Sequence, residues 1–201
     1  MKIYSMNVTA IDPNDEKWYK YLSPRRIEKV NRLKPTDKKA QSIGVELLLR
    51  RAVNEITGED KNAEWDTDHN GKLYLINHPK IHVNLSHSGD YAVCAVHDAP
   101  VGVDIQKMGE YDERIVNRFF TLDEAEYIKS AADKKSAFYI VWTRKESFLK
   151  ATGKGLTVPL NSVSVLDDTV IYEGMSYTFK EYCIGGEDYK CFACFSELSP
   201  E

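Results

Sequence analysis

The chain has 201 residues, 42% of them hydrophobic and 29% charged, a composition that can close a core and argues against disorder. No apolar run approaches the ~20 residues of a membrane helix, and Met1-Lys2-Ile3-Tyr4 opens no apolar export segment, so a cytoplasmic protein with no membrane partner is expected. The net charge of −4 gives no whole-protein case for nucleic acid, yet residues 25–51 hold nine bases against three acids, which suits either an anionic ligand or a solvated helix face.

Residues 2–8 read as a short strand. Ser23-Pro24 supplies an N-cap and a first-turn proline, and Ile27, Val30 and Leu33 follow at helical spacing. Pro35 interrupts; Asp37 is a candidate cap for a longer helix whose buried side is Val45, Leu48, Leu49, Ala52, Val53 and Ile56, ending at Gly58. Residues 59–72 are polar with a turn signal at Asn70-Gly71. Strands are expected over 73–76, 81–85 and 91–96, with Ser86-His87-Ser88-Gly89 as a turn. Asp98-Ala99-Pro100 breaks the pattern, and Val101–Gln106 reads as another strand. Thr121-x-x-Glu124 is a capping box opening a helix to about 131, and residues 135–152 form a strong helix before Gly153. The last third reads as strands over 162–166, 169–173, 176–184 and 189–196. Each half thus carries helices followed by strands, an α+β organisation that divides near residue 100.

Four cysteines are expected to be reduced. Cys191-x-x-Cys194 lies in a strand, where residues three apart point to opposite faces, so core thiols fit better than a metal pair. Asp104 and Gln106 share a strand face, and Glu146 lies on the long helix. Such oxygen donors could converge on a hard cation, but spacing alone favours a strand-end acid and a helix-face acid, since no rule fixes two residues 42 apart. Glu146 and Lys150 have the usual surface-pair spacing, worth about 0.3–0.5 kcal/mol, and could instead face a phosphate-bearing cleft with Lys145 and Lys154 nearby. Ser86 beside His87 lacks a nucleophile elbow and a triad order; an anion-facing group fits it better than a hydrolase.

In order along the chain, Ser23-Pro24 with its basic helix, Asn70-Gly71-Lys72, Asn84-Leu85-Ser86-His87-Ser88, Gly102-Val103-Asp104-Ile105, Arg118-Phe119-Phe120-x-x-x-Glu124, Trp142-x-x-Lys145-Glu146-Ser147-Phe148-x-Lys150 and Gly153-Lys154-Gly155-Leu156 resemble the 4'-phosphopantetheinyl transferases of the larger, surfactin-type branch. The resemblance implies a pseudo-dimer of two similar α+β halves, 1–100 and 101–201, each with helices on a small, mainly antiparallel sheet and with coenzyme A between them. It implies Mg2+-dependent transfer of the phosphopantetheine arm of coenzyme A to a serine of an apo acyl, peptidyl or aryl carrier protein, with adenosine 3',5'-bisphosphate released. A monomer that binds no nucleic acid is expected. By position, Asp104, Gln106 and Glu146 would hold the metal. Arg26, Lys29, Ser42, Lys72, Ser86, His87, Lys145 and Lys150 would meet the coenzyme. Asp104, Glu146 and Lys150 would serve the chemistry, with Glu146, or a water it holds, as base. Relatives often have an acid where Gln106 stands, and that departure is the opening for a non-catalytic coenzyme A or carrier-protein binder. A nucleic-acid binder using residues 25–51 is the third reading, and it lacks an aromatic-basic stripe.

Overall fold

The computed structural model describes residues 1–197. Its first sheet is antiparallel, in the order β1 (Lys2–Asn7), β5 (Tyr91–His97), β4 (His82–Ser88). Across it lies α2 (Thr36–Thr57), whose Ile43, Leu48, Leu49, Ala52 and Val53 meet Tyr4, Ala92, Cys94 and Val96 in one core. α1 (Pro24–Arg32) begins at the Ser23 cap, whose hydroxyl accepts the Arg26 amide at 3.3 Å. α2 starts a residue before Asp37 and is preceded by Pro35, so Asp37 sits in its first turn and no side chain caps it. Gly58 stops it at φ 75°. A two-stranded hairpin, β2 (Trp65–Thr67) and β3 (Leu73–Leu75), packs against the same core through Leu75, Trp65 and Leu73.

The second sheet, also antiparallel, runs β6 (Val101–Lys107), β9 (Tyr189–Ser196), β8 (Met175–Glu181), β7 (Thr169–Tyr172). Three helices precede its last strands: α3 (Glu113–Phe119), α4 (Leu122–Ser130) and α5 (Lys134–Thr152). The Thr121/Glu124 capping box is formed. α5 rests on β6 and β9, and Gly102 permits the approach, since a Cβ there would collide with the Ser147 carbonyl oxygen and the Ala151 amide. Cys191 and Cys194 are free buried thiols that face two different cores. The architecture is therefore α+β, as expected.

Edge strands β4 and β6 meet side by side. The Val103 amide donates to Asn84 Oδ1 at 2.9 Å, the Ile105 amide to Ser86 Oγ at 3.3 Å and the Lys107 amide to Ser88 Oγ at 3.0 Å. Side chains at every second residue of β4 thus replace a backbone ladder, in parallel register. Beside this seam Val93, Ala95, Val103, Ile105, Cys191 and Ala193 pack together, so both sheets share a core.

Besides the Asp37 cap, other expectations differ from the structure: Ile56, expected on the buried side of α2, is exposed. Ser86-His87-Ser88 continue strand β4 instead of turning. Residues 162–166 are not a strand: the carbonyls of Leu160 and Val163 accept Lys145 Nζ, those of Val165 and Leu166 accept Arg144 Nη1, and the Val165 amide donates to Glu124. Side chains take the groups that a ladder would need.

Candidate active site

β6 delivers Asp104 to the seam, where the residue is buried. Its Oδ1 accepts Lys150 Nζ at 2.6 Å and Ser86 Oγ at 2.8 Å, and its Oδ2 accepts Gln106 Nε2 at 2.9 Å. Lys150 Nζ also donates to the Val103 carbonyl at 3.0 Å. One turn earlier on α5, half-buried Glu146 makes no hydrogen bond or ion pair within the described residues. Burial first, then the charge of Asp104, raises its carboxyl above the usual range, against the opposing pull of Lys150. Two carboxylates under mutual repulsion suit a hard cation such as Mg2+, whereas Gln106 turns its Nε2 toward Asp104 and would need an amide flip to add an oxygen to that set. Among the described residues no cluster of three His, Cys, Asp or Glu forms.

Glu146 and Lys150 line a cavity of about 310 Å³, faced by Asn70, Gly71 and Lys72 of the hairpin turn. Gly71 and Leu73 also border a second cavity of about 520 Å³, whose other walls include Arg25, Arg26, Lys29 and Trp65. Arg26 is buried and held in place: Nε donates to Glu46 Oε2 at 3.0 Å, Nη1 to Ser42 Oγ at 3.4 Å, and the guanidinium lies 5.2 Å from the Trp65 ring centroid. Glu46 Oε1 in turn accepts Trp65 Nε1 at 2.9 Å and the Ser23 amide at 3.1 Å. Burial, then Arg26, lowers the Lys29 ammonium. His87 is pushed down to about 4 by burial and then by Lys38, Lys29, Lys150 and Arg26, and its buried Nδ1 has no hydrogen-bond partner among the described residues. A neutral imidazole ringed by cations marks an electropositive path from Arg26 to Lys150, suited to a ligand with several phosphates.

The structure therefore gathers Asp104, Gln106, Glu146, Lys150 and Ser86 at one centre and Arg26, Lys29, Ser42 and His87 beside it. Lys72 borders the first cavity, but its ammonium is engaged by backbone carbonyls. Lys145 is not brought to either cavity. It is fully buried, its Nζ 2.8 Å from Glu124 Oε2, 2.6 Å from the Leu160 oxygen and 2.8 Å from the Val163 oxygen, so all its donors are satisfied internally. Sequence reasoning missed Glu46 and Trp65, and gave Asn84 no role beyond its place in a motif. Glu46 stood among many charges of a basic segment, and nothing within a turn of it indicates Arg26; the 84/86/88 alternation of short polar residues was the available signal for Asn84.

Residues 100–194 match the model of the 4'-phosphopantetheinyl transferase superfamily. The 4'-phosphopantetheinyl transferase Sfp of Bacillus subtilis (strain 168) is 32% identical over 170 residues, covering 82% of this chain and 76% of Sfp. The 4'-phosphopantetheinyl transferase psf-1 of Bacillus pumilus is 39% identical over 120 residues, 58% of this chain and 52% of psf-1. The 4'-phosphopantetheinyl transferase gsp of Aneurinibacillus migulanus is 35% identical over 158 residues, 74% of this chain and 65% of gsp. Likeness sustained across both sheets, at that identity to Sfp, means that the chain belongs to the 4'-phosphopantetheinyl transferase superfamily and is a transferase.

Proposed function

We propose that this protein moves the phosphopantetheine arm of coenzyme A onto a serine hydroxyl of an apo acyl, peptidyl or aryl carrier protein. The observation that carries the reading is Lys150 lodged between Asp104 and Ser86 at the wall of a cavity that adjoins the Arg26–Lys29 cavity. Arg26, Lys29 and His87 would bind the adenosine-side phosphate, with Ser42 holding the guanidinium edge. Lys150 would neutralise the pyrophosphate. Asp104, Gln106 and Glu146 would hold Mg2+, which when bound supplies charge neutralisation on the pyrophosphate.

The serine oxygen forms a bond to the phosphorus that carries pantetheine. The bond from that phosphorus to the bridging oxygen breaks, and its electron pair leaves with adenosine 3',5'-bisphosphate. Glu146, or a water it holds, takes the serine proton. The protein's part is positioning and charge. Two halves, 1–100 and 101–201, and a monomer at work in the cytoplasm complete the proposal. No helix among the described residues is long and apolar enough to cross a membrane.

Incubation with coenzyme A, Mg2+ and an apo carrier, followed by intact mass spectrometry, tests the reaction. One added phosphopantetheine arm, lost with EDTA, is expected. Glu146→Gln should reduce transfer by at least a hundredfold with an unchanged circular dichroism spectrum; near wild-type transfer would sink the assignment of Glu146. Coenzyme A binding with no transfer to any carrier type would favour the non-catalytic binder that Gln106 suggests.

A further inference from the structure

The resemblance implies a phosphate contact for Lys72, but the ammonium is engaged elsewhere. Its Nζ donates to the Lys150 carbonyl at 2.9 Å and to the Ala151 carbonyl at 2.6 Å. These belong to the last turn of α5, where helical geometry leaves carbonyls without partners and concentrates negative charge. Gly153, at φ 70°, ends the helix, and a Cβ there would lie 2.8 Å from Lys72 Cδ. One glycine thus serves both the left-handed stop and the passage of the lysine stem.

Lys72 is anchored at its other end too. The Asp68 amide donates to the Lys72 carbonyl at 2.9 Å, and the Lys72 amide donates to Asp68 Oδ1 at 2.9 Å, closing the turn between β2 and β3. Asn70, Gly71 and Leu73 form one wall of the 310 Å³ cavity; Glu146, Leu149 and Lys150 form another. Among the described residues no other hydrogen bond joins this hairpin to α5.

We propose that Lys72 is a positioning residue that clasps the β2–β3 hairpin to the end of α5, setting the width of the cavity and the place of the Lys150 ammonium. It acts through Lys150: Lys72 holds that residue's carbonyl, while its side chain reaches Asp104. The functional half of this inference rests on the reading that the cavity takes coenzyme A; the clasp itself does not.

The test compares Lys72→Ala, Lys72→Arg, Gly153→Ala and the Lys72→Ala/Gly153→Ala double variant. In the ligand-free protein, hydrogen exchange should rise in residues 68–75 and 150–155 for Lys72→Ala and much less for Lys72→Arg, whose guanidinium can still donate to both carbonyls. That measurement stands whether or not the protein transfers the arm. In the transfer assay, Lys72→Ala should lower kcat about tenfold or more while KM for coenzyme A changes less. Gly153→Ala keeps the ammonium but obstructs its stem, so it should also lower kcat, and its effect should shrink in the Lys72→Ala background. Wild-type exchange in ligand-free Lys72→Ala, with KM raised at unchanged kcat, would overturn the clasp and make Lys72 a phosphate ligand. Fully additive effects of the two substitutions would equally overturn it, because Gly153 would then act by backbone strain alone.

Discussion

His87 illustrates how a single side chain reports its surroundings. Its imidazole is neutral in the folded protein because burial, then the charges of Lys38, Lys29, Lys150 and Arg26, oppose a further proton; the ordinary value of 6.5 falls to about 4. The unfolded chain binds the proton more readily, so this group withdraws stability as pH falls from about 6.5 to about 4, and the loss levels off below. Replacing His87 with Gln should flatten the decline of the urea midpoint between pH 7 and pH 4.5. Parallel declines in wild type and variant would mean that other groups carry the acid sensitivity. Residue identities such as His87, Asp104 and Glu146 were legible as candidates from their motifs. The state of each was not, because it depends on charges brought from α1, α2 and α5.

At the scale of an element, α5 does most to build the centre. Its period sets Glu146 and Lys150 one turn apart on the same side, and both were readable as a pair. Its depth against β6 was not, although Gly102 carries the signal. Gly102→Ala would force α5 away from β6 and with it Glu146 and Lys150 from Asp104. A loss of about 1–3 kcal/mol in urea unfolding is expected, with transfer falling more steeply than stability. Unchanged stability would show that α5 can slide without loss of packing. Residues 162–166 show the opposite case. Val163 and Val165 alternate as in a strand, yet Arg144, Lys145 and Glu124 satisfy that backbone from the side. Propensity favoured the strand; tertiary hydrogen bonds decided otherwise.

At the scale of the molecule, the seam between β4 and β6 joins the two sheets and creates the centre. Asn84 is 8% exposed, so removing its side chain leaves the Val103 amide without an acceptor and with little water to replace it. Asn84→Ala should cost about 1–3 kcal/mol. Because Ser86 and Asp104 lie one alternation along, transfer should also fall; a variant as stable as wild type would remove the seam's structural importance. The polar alternation Asn84, Ser86, Ser88 was visible in the chain, but its use as a substitute ladder depended on where β6 arrived.

The apolar strand runs of β1, β5, β6 and β9, the caps at Ser23 and Thr121, the stops at Gly58 and Gly153 and the ordered motifs were all determined locally, because backbone preferences and side-chain character act over a few residues. Tertiary structure decided the rest. It turned Lys145 inward to Glu124, set Glu46 beneath Arg26, drew Lys72 to α5 and laid Ser86 between Asp104 and Lys150. These partners stand between 18 and 79 positions apart, and the chain brings them together only when burying both sheets and their helices leaves each polar group one place to be satisfied.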